Sequence, residues 1–321
     1  MKKLLTRTFL WLLLCLTLTS TAVLLAPYDK KFGYQFIQGA GIEKVQWVYC
    51  RIFEDPTPID VAIMGTSRTY FGVNDTLISD TLSARTGRPV HAVNLSFYGR
   101  SRNQHLFMLE DMIGQGKRPK VLVLGVMEKE LRRSHSLGGA MISTSQLGCI
   151  IHPLNRRIVK DVTSFIEVRK GYTKYLLGME TEWHSCDPAT PTFDARDTLL
   201  SAAELAEHQE KMNQILSPIY TDTTYWGWEF HYPLSLLRKI VKLCRENDIQ
   251  IVFSYMPAYQ GPEAPFPFFL DQYKAWGSVC LAPVEVLNDP TCWMDSDHYN
   301  KRGNEICSQA LGQYLASIWD E

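Results

Sequence analysis

Apolar positions along this chain follow two patterns. The first is one uncharged run over residues 8–26, TFLWLLLCLTLTSTAVLLA, preceded by Lys2, Lys3 and Arg7 and closed by Pro27. Its 19 residues would form a helix of about 28 Å, close to the hydrocarbon thickness of a bilayer. A signal peptide cut near Ser20-Thr21-Ala22 and an uncleaved anchor both fit this run. Its continuation through Val23, Leu24, Leu25 and Ala26 favours the anchor, because signal cores are shorter. The basic flank predicts one pass through the inner (cytoplasmic) membrane, with the N-terminus cytoplasmic and the rest periplasmic or extracellular. Lys30 and Lys31 on the other flank pull weakly against that orientation.

The second pattern starts near residue 60, where short apolar runs alternate with stretches of helical period. Residues 60–64, 89–95, 121–126, 249–255 and 283–287 read as strands. Residues 76–86, 103–114, 234–246 and 300–319 read as helices, the last with Ile306, Ala310, Leu311, Tyr314, Leu315 and Ile318 on one face. Apolar strands alternating with helices predict an α/β fold with a parallel sheet covered on both sides. Residues 32–58 read as a linker, and 130–230 break the rhythm as a large insertion or cap. The predicted organisation is an anchor with its cytoplasmic flank (1–31), then one extracytoplasmic domain (32–321).

Composition narrows the function classes. The chain has 321 residues, 45% hydrophobic and 21% charged, which is globular rather than disordered. Its 33 basic and 34 acidic residues leave a net charge of −1, without the positive field that nucleic-acid binding relies on. Of eight cysteines, Cys15 lies in the apolar run, and the seven others form no CxxC pair. An oxidising exterior would permit a bridge such as Cys280–Cys292, though spacing does not fix the pairing.

In an open parallel sheet, ligands bind beyond the carboxyl ends of the strands. After the first predicted strand comes Gly65-Thr66-Ser67-Arg68. A glycine permits a tight turn there, and a serine at a helix N-terminus exposes its hydroxyl beside a backbone N–H able to hold an oxyanion. A plain helix cap explains such a serine equally well. After the second comes Asn94-Leu95-Ser96-Phe97-Tyr98-Gly99-Arg100-Ser101, where Gly99 can offer its N–H unobstructed or simply make a turn. Near the C-terminus stands Asp295-Ser296-Asp297-His298-Tyr299-Asn300. An imidazole base needs a partner that fixes its tautomer, and Asp295 lies three residues from His298. Either aspartate of that stretch would also serve as a helix cap.

The order of these three blocks resembles the SGNH (GDSL-like) hydrolase superfamily. The resemblance implies a flavodoxin-like three-layer α/β/α sheet over 60–126 and 234–319. It implies Ser67 as nucleophile, His298 as base, Asp295 as its orienting acid, and the N–H groups of Ser67 and Gly99 as oxyanion donors. Two departures stand out. The first block reads GTSR rather than GDSL. Where the third block has Gly-x-Asn-Asp, this chain has Gly125-Val126-Met127-Glu128, without an asparagine. Asn94, Asn103 and Arg68 are candidates for the missing donor. Arg68, Asn94, Tyr98 and Trp228 are candidate substrate contacts.

In overall plan the chain is similar to DltD-type proteins of lipoteichoic acid D-alanylation and to anchored proteins of exopolysaccharide O-acetylation. That likeness implies a serine esterase or O-acyltransferase working on acyl, foremost acetyl, esters of an envelope polysaccharide. Its partners would be an acyl donor, a glycan acceptor and a membrane-bound acyltransferase, with no metal or organic cofactor and no nucleic acid. The alternative is a catalytically degenerate glycan-binding or scaffold protein on the same fold. A phosphate-binding α/β enzyme is disfavoured, since GxGxxG and GxxxxGK[ST] are absent.

The remaining features read more plainly. The aromatic stretch 225–232 reads as core packing, with sugar or acyl contact as the alternative. The proline-rich loop 256–269 should overhang the active edge. His184-Ser185-Cys186-Asp187 has ligand residue types without a metal spacing. His135, His152 and His208 read as solvated, and Glu128 and Glu130 as surface carboxylates.

Overall fold

The computed structural model describes residues 1–25, 28–35, 42–96, 98–99, 101–130, 132, 134–179, 197–221, 226–261 and 268–320. The 184–187 stretch, Tyr225 and the middle of the 256–269 loop lie outside the described residues. The first element, α1 (Lys2–Leu25), is long and apolar enough over Lys2–Ala22 to cross a membrane, and none of that stretch is buried. It is therefore not a core helix of the domain that follows.

Residues read as a linker are in fact packed. Helices α2 (Lys30–Gln35) and α3 (Ile42–Tyr49) bury Phe32, Tyr34, Val45 and Val48 in the main core. A π-helical turn (Cys50–Glu54) leads on to strand β1 (Val61–Met64). Cys50 is disulfide-bonded, whereas Cys280 and Cys292 are free thiols, so the bridge considered between them is not formed.

The order then runs α4 (Ser67–Gly72), α5 (Asp75–Thr86), β2 (Ala92–Asn94), α6 (Asn103–Gly114) and β3 (Val121–Val126). The insertion carries α7 (Gly138–Met141), α8 (Leu147–Ile150), α9 (Ile158–Leu176) and α10 (Ala202–Thr221). The chain closes with α11 (Trp226–Glu246), β4 (Gln250–Tyr255), α12 (Leu270–Trp276), β5 (Ser278–Leu281), α13 (Val284–Asn288) and α14 (Lys301–Ser317). The five strands pair in parallel in the order β2-β1-β3-β4-β5. This is a doubly wound order, which places a crevice at the carboxyl ends of β1 and β3.

Alternation along the strands feeds two cores. Ala62, Met64, Leu122, Leu124 and Phe253 join the core that holds α6 and α11. Val61, Ile63, Val121, Val123 and Val252 join the one that holds α5 and α14. Each fully buried side chain of this kind contributes about 1.5–3 kcal/mol. The last strand differs from expectation. Residues 283–287 fall mostly in α13, and the edge strand is Ser278–Leu281, short and only partly buried.

The insertion is spread over both faces rather than standing apart. Ile142, Ile150, Phe165 and Val168 pack on the α6 and α11 side. Leu205 of α10 joins the opposite core, and Gln209 Nε2 donates to the Gln260 carbonyl at 2.9 Å. Phe230 and Tyr232 are buried, as the packing reading of the aromatic stretch expected, whereas Trp228 in the same stretch is exposed.

Candidate functional site

The turn after β1 resolves the two readings of its serine. Thr66, in extended conformation, is the cap of α4, its Oγ1 accepting from the Arg68 N–H at 3.3 Å. Ser67 is therefore the first helical residue, and its hydroxyl is not used for capping. Thr69, one turn on, lies against Gly65 and Gly125, where a Cβ at either glycine would strike its side chain. The glycine in VLVLGV thus lets α4 seat on the β1/β3 pair.

The loop before α14 meets that serine. Asn300, not an aspartate, caps α14, its Oδ1 accepting from the Gly303 N–H at 3.1 Å. Asp295 turns inward, its Oδ1 accepting from the N–H groups of Asp297 (2.7 Å) and His298 (2.8 Å). The same carboxylate meets His298 Nδ1 at 2.8 and 2.9 Å. His298 Nε2 stands 2.8 Å from Ser67 Oγ. Burial would raise the Asp295 carboxyl, but the hydrogen bond and charge of His298, with the two N–H donors, hold it below the usual carboxylate range. A negative Asp295 fixes the Nδ1–H tautomer and leaves Nε2 to accept the serine proton. Both side chains remain partly open to solvent, at 22% for His298 and 34% for Asp295.

A second bond crosses the same gap. Arg68, fully buried, gives Nη1 to both Glu128 oxygens (2.7 and 2.6 Å) and to the Met256 carbonyl (3.3 Å), and Nη2 to Asp297 Oδ1. Glu128 Oε1 also accepts from the Ala258 N–H at 2.5 Å. Burial lowers the guanidinium's affinity for its proton, but the carboxylates of Glu128 and Asp297 outweigh that and raise it. Alongside, Arg102 donates to both Glu130 oxygens and to the Gly125 carbonyl, and the Tyr273 hydroxyl donates to Glu130. Glu128 and Glu130 are thus buried ion-pair members, not surface carboxylates, because each meets an arginine at the start of a neighbouring helix.

The turn after β2 forms the other wall. Gly99 sits at φ +107°, and a Cβ there would lie 2.6 Å from His135 Nε2. His135 is buried, contrary to the solvated reading, and its Nε2 bonds the Tyr98 carbonyl. Neither the Ser67 nor the Gly99 N–H donates to another group among the described residues. The half-exposed Tyr98 ring packs on Tyr70 and Phe71 (5.4 and 5.9 Å between centroids), and Phe71 meets His298 edge-on at 5.3 Å.

Four candidates fall elsewhere. Asn103 is fully buried. Its Oδ1 accepts from Ser101 Oγ and the His135 N–H, and its amide is turned to Gly138, so it is a structural pin and not a donor beside Ser67. The Asn94 amide donates to the carbonyls of Thr69, Tyr70 and Val73 and secures the end of α4. Arg68 is sealed in its ion pairs and presents no charge to a ligand. Trp228 is exposed at the start of α11, and no contact joins it to Ser67 or His298 among the described residues. His208 is exposed as expected, and His152 stacks on His231.

What the arrangement can do chemically is polarise a hydroxyl at Ser67 and shuttle its proton. A scan against protein-family models and a search of curated proteins both return no match to this chain.

Proposed function

We propose that the chain is a membrane-anchored serine esterase or O-acyltransferase of SGNH type, acting outside the cytoplasm on acyl, foremost acetyl, esters of an envelope polysaccharide. The observation that carries this reading is the relay Ser67 Oγ to His298 Nε2 at 2.8 Å and His298 Nδ1 to Asp295 at 2.8 Å. Ser67 Oγ attacks the acyl carbonyl as its proton passes to His298. The oxyanion is held by the N–H groups of Ser67 and Gly99, and the alcohol leaves with the proton from His298. Water or a glycan hydroxyl then takes the acyl group from Ser67 by the reverse sequence. Location outside the cytoplasm is supported by α1 with its basic flank and by the disulfide at Cys50. The partners would be an acyl donor, an envelope glycan and a membrane-bound acyltransferase.

A fluorophosphonate probe and an aryl acetate test this reading together. The parent chain should label at Ser67 and release acetate, and Ser67→Ala should abolish both. Parental turnover in Ser67→Ala would refute the mechanism. Met127 in place of the third-block asparagine favours the degenerate, glycan-binding alternative. That alternative gains if the parent itself fails to label while binding an acetylated glycan.

A further inference from the structure

We infer that the C-terminal end of α9 seats on the membrane that α1 crosses, giving the domain a second, fixed contact with the lipid surface. This rests on the proposed reading of α1 as a membrane span. The end of α9 carries apolar side chains into solvent: Tyr175 at 43%, Leu176 at 60%, Leu177 at 72% and Met179 at 55% exposure. Four large apolar residues within five positions form a patch of the kind that marks an interaction surface. Lys174 flanks it, with a charge suited to anionic headgroups.

Continuity with α1 identifies the occupant. Tyr28 comes three residues after Leu25, the last residue of α1, and three residues reach at most about 11 Å. Tyr28 packs edge-on against Tyr172 at 5.5 Å, and Phe32 meets Tyr172 and Tyr175 at 5.3 and 5.7 Å. The Arg169 guanidinium lies 4.3 Å over the Tyr28 ring. α1 itself runs up against α9. The polar region of one leaflet is roughly 5–8 Å deep. Where α1 leaves the hydrocarbon, the last turn of α9 is therefore already at headgroup depth. A domain hung from a loose stem would swing. This one is held by the rings of Tyr28 and Phe32, and its apolar corner faces the lipid.

The test uses the full-length chain in nanodiscs of phosphatidylethanolamine and phosphatidylglycerol, with Cys15→Ser and Cys149→Ser removing the accessible thiols. Nitroxides are placed singly through Leu12→Cys in α1, Leu177→Cys, and Ser317→Cys at the end of α14 on the opposite face of the sheet. Power saturation compares access of oxygen, which partitions into lipid, with that of a nickel chelate, which stays in water. The expected result is oxygen-dominated relaxation at positions 12 and 177, shallower at 177, and nickel-dominated relaxation at 317. Adding Leu176→Asp should shift position 177 several-fold toward nickel and leave position 12 unchanged. Oxygen access at 12 with nickel access at 177 would overturn the docking and leave the anchor standing. Nickel access at 12 would overturn both. A position 177 shielded from both reagents would mean a protein surface, such as a second copy, covers it, and the inference fails.

Discussion

Removing the charge of Glu128 is the sharpest test of the architecture around Ser67. In Glu128→Gln the side-chain volume is kept, but the Arg68 guanidinium loses its main counter-charge. Side-chain exposure is 1% for Arg68 and 2% for Glu128, so water cannot take over. Breaking a buried pair from one side costs about 3–5 kcal/mol. Arg68 keeps Asp297, whose side chain is 19% exposed, and the Met256 carbonyl. These retained partners place the loss at the lower end, about 3 kcal/mol. At a slope of about 3 kcal/mol/M, the urea midpoint of the detergent-solubilised chain falls by about 1 M.

The companion variant is Arg68→Met with Glu128→Leu, which removes both charges. Stability should return most of the way to the parent, since apolar replacement of a buried pair is often neutral or better. Fluorophosphonate labelling of Ser67 should not recover, because the loop carrying His298 then loses its tie from Asp297 to α4. Stability and reactivity are thereby separated between the two variants. A Glu128→Gln midpoint indistinguishable from the parent would refute the reasoning, because a cation sealed at 1% exposure cannot lose its main counter-charge free of cost.

Gly99→Ala should cost about 1–3 kcal/mol in backbone strain. It should slow Ser67 labelling by about 10²–10³-fold by moving an oxyanion donor, with the circular dichroism unchanged. Asp295→Asn should lower turnover by about 10³–10⁴-fold while Ser67 and His298 stay in place. The Asp295 carboxyl is held below its ordinary value, so its contribution to folding is present above the usual carboxylate range and is lost as pH falls through the lowered value. Asp295→Asn should flatten that acid limb in urea midpoints measured against pH. Lys44 of α3, whose ammonium donates to the Asn94 carbonyl at 2.6 Å, is lowered to about 7 by burial, against a small opposing pull from Asp75. The unfolded chain then binds more protons from about pH 7 to pH 10, so stability rises with pH there, and Lys44→Met should remove that slope.

How much of this was legible follows the physics of each element. Strands buried on both faces read as unbroken apolar runs, and β1, β3 and β4 fell where those runs lie. The edge strand escaped because Ser278-Val279-Cys280-Leu281 is short and half covered, while 283–287 imitates a strand with Val284, Val286 and Leu287 yet turns as a helix. The Ser67, His298 and Asp295 cluster was legible because the serine follows β1 and the Asp-x-x-His precedes the last helix, in a recognisable order. The Arg68 and Arg102 pairs were not, because a carboxylate just past a strand looks solvated until its partner is known. Arg68 lies 60 residues from Glu128 and 229 from Asp297. His135 likewise becomes a buried support only once the turn at Gly99 is folded over it.

The departure at Arg68 from the resembled pattern is answered in space by the acidic residue of the third block. Arg68 stands after the serine, where the GDSL pattern has an apolar residue. Glu128 stands at the last place of the third block, where that pattern has Gly-x-Asn-Asp. They form one ion pair at 2.6 Å. Buried as they are, each charge loses its main partner if the other is removed. The pair also alters the labour of the C-terminal block. Asp295 faces His298, and Asp297, two residues on, faces Arg68. Ser67-Arg68 at the start of α4 therefore meets Asp295-Ser296-Asp297-His298 of the loop before α14 through two neighbouring bonds. The bond from Ser67 to His298 is the one the proposed chemistry uses. The bond from Arg68 to Asp297 holds the gap, so His298 stays within hydrogen-bond reach of Ser67.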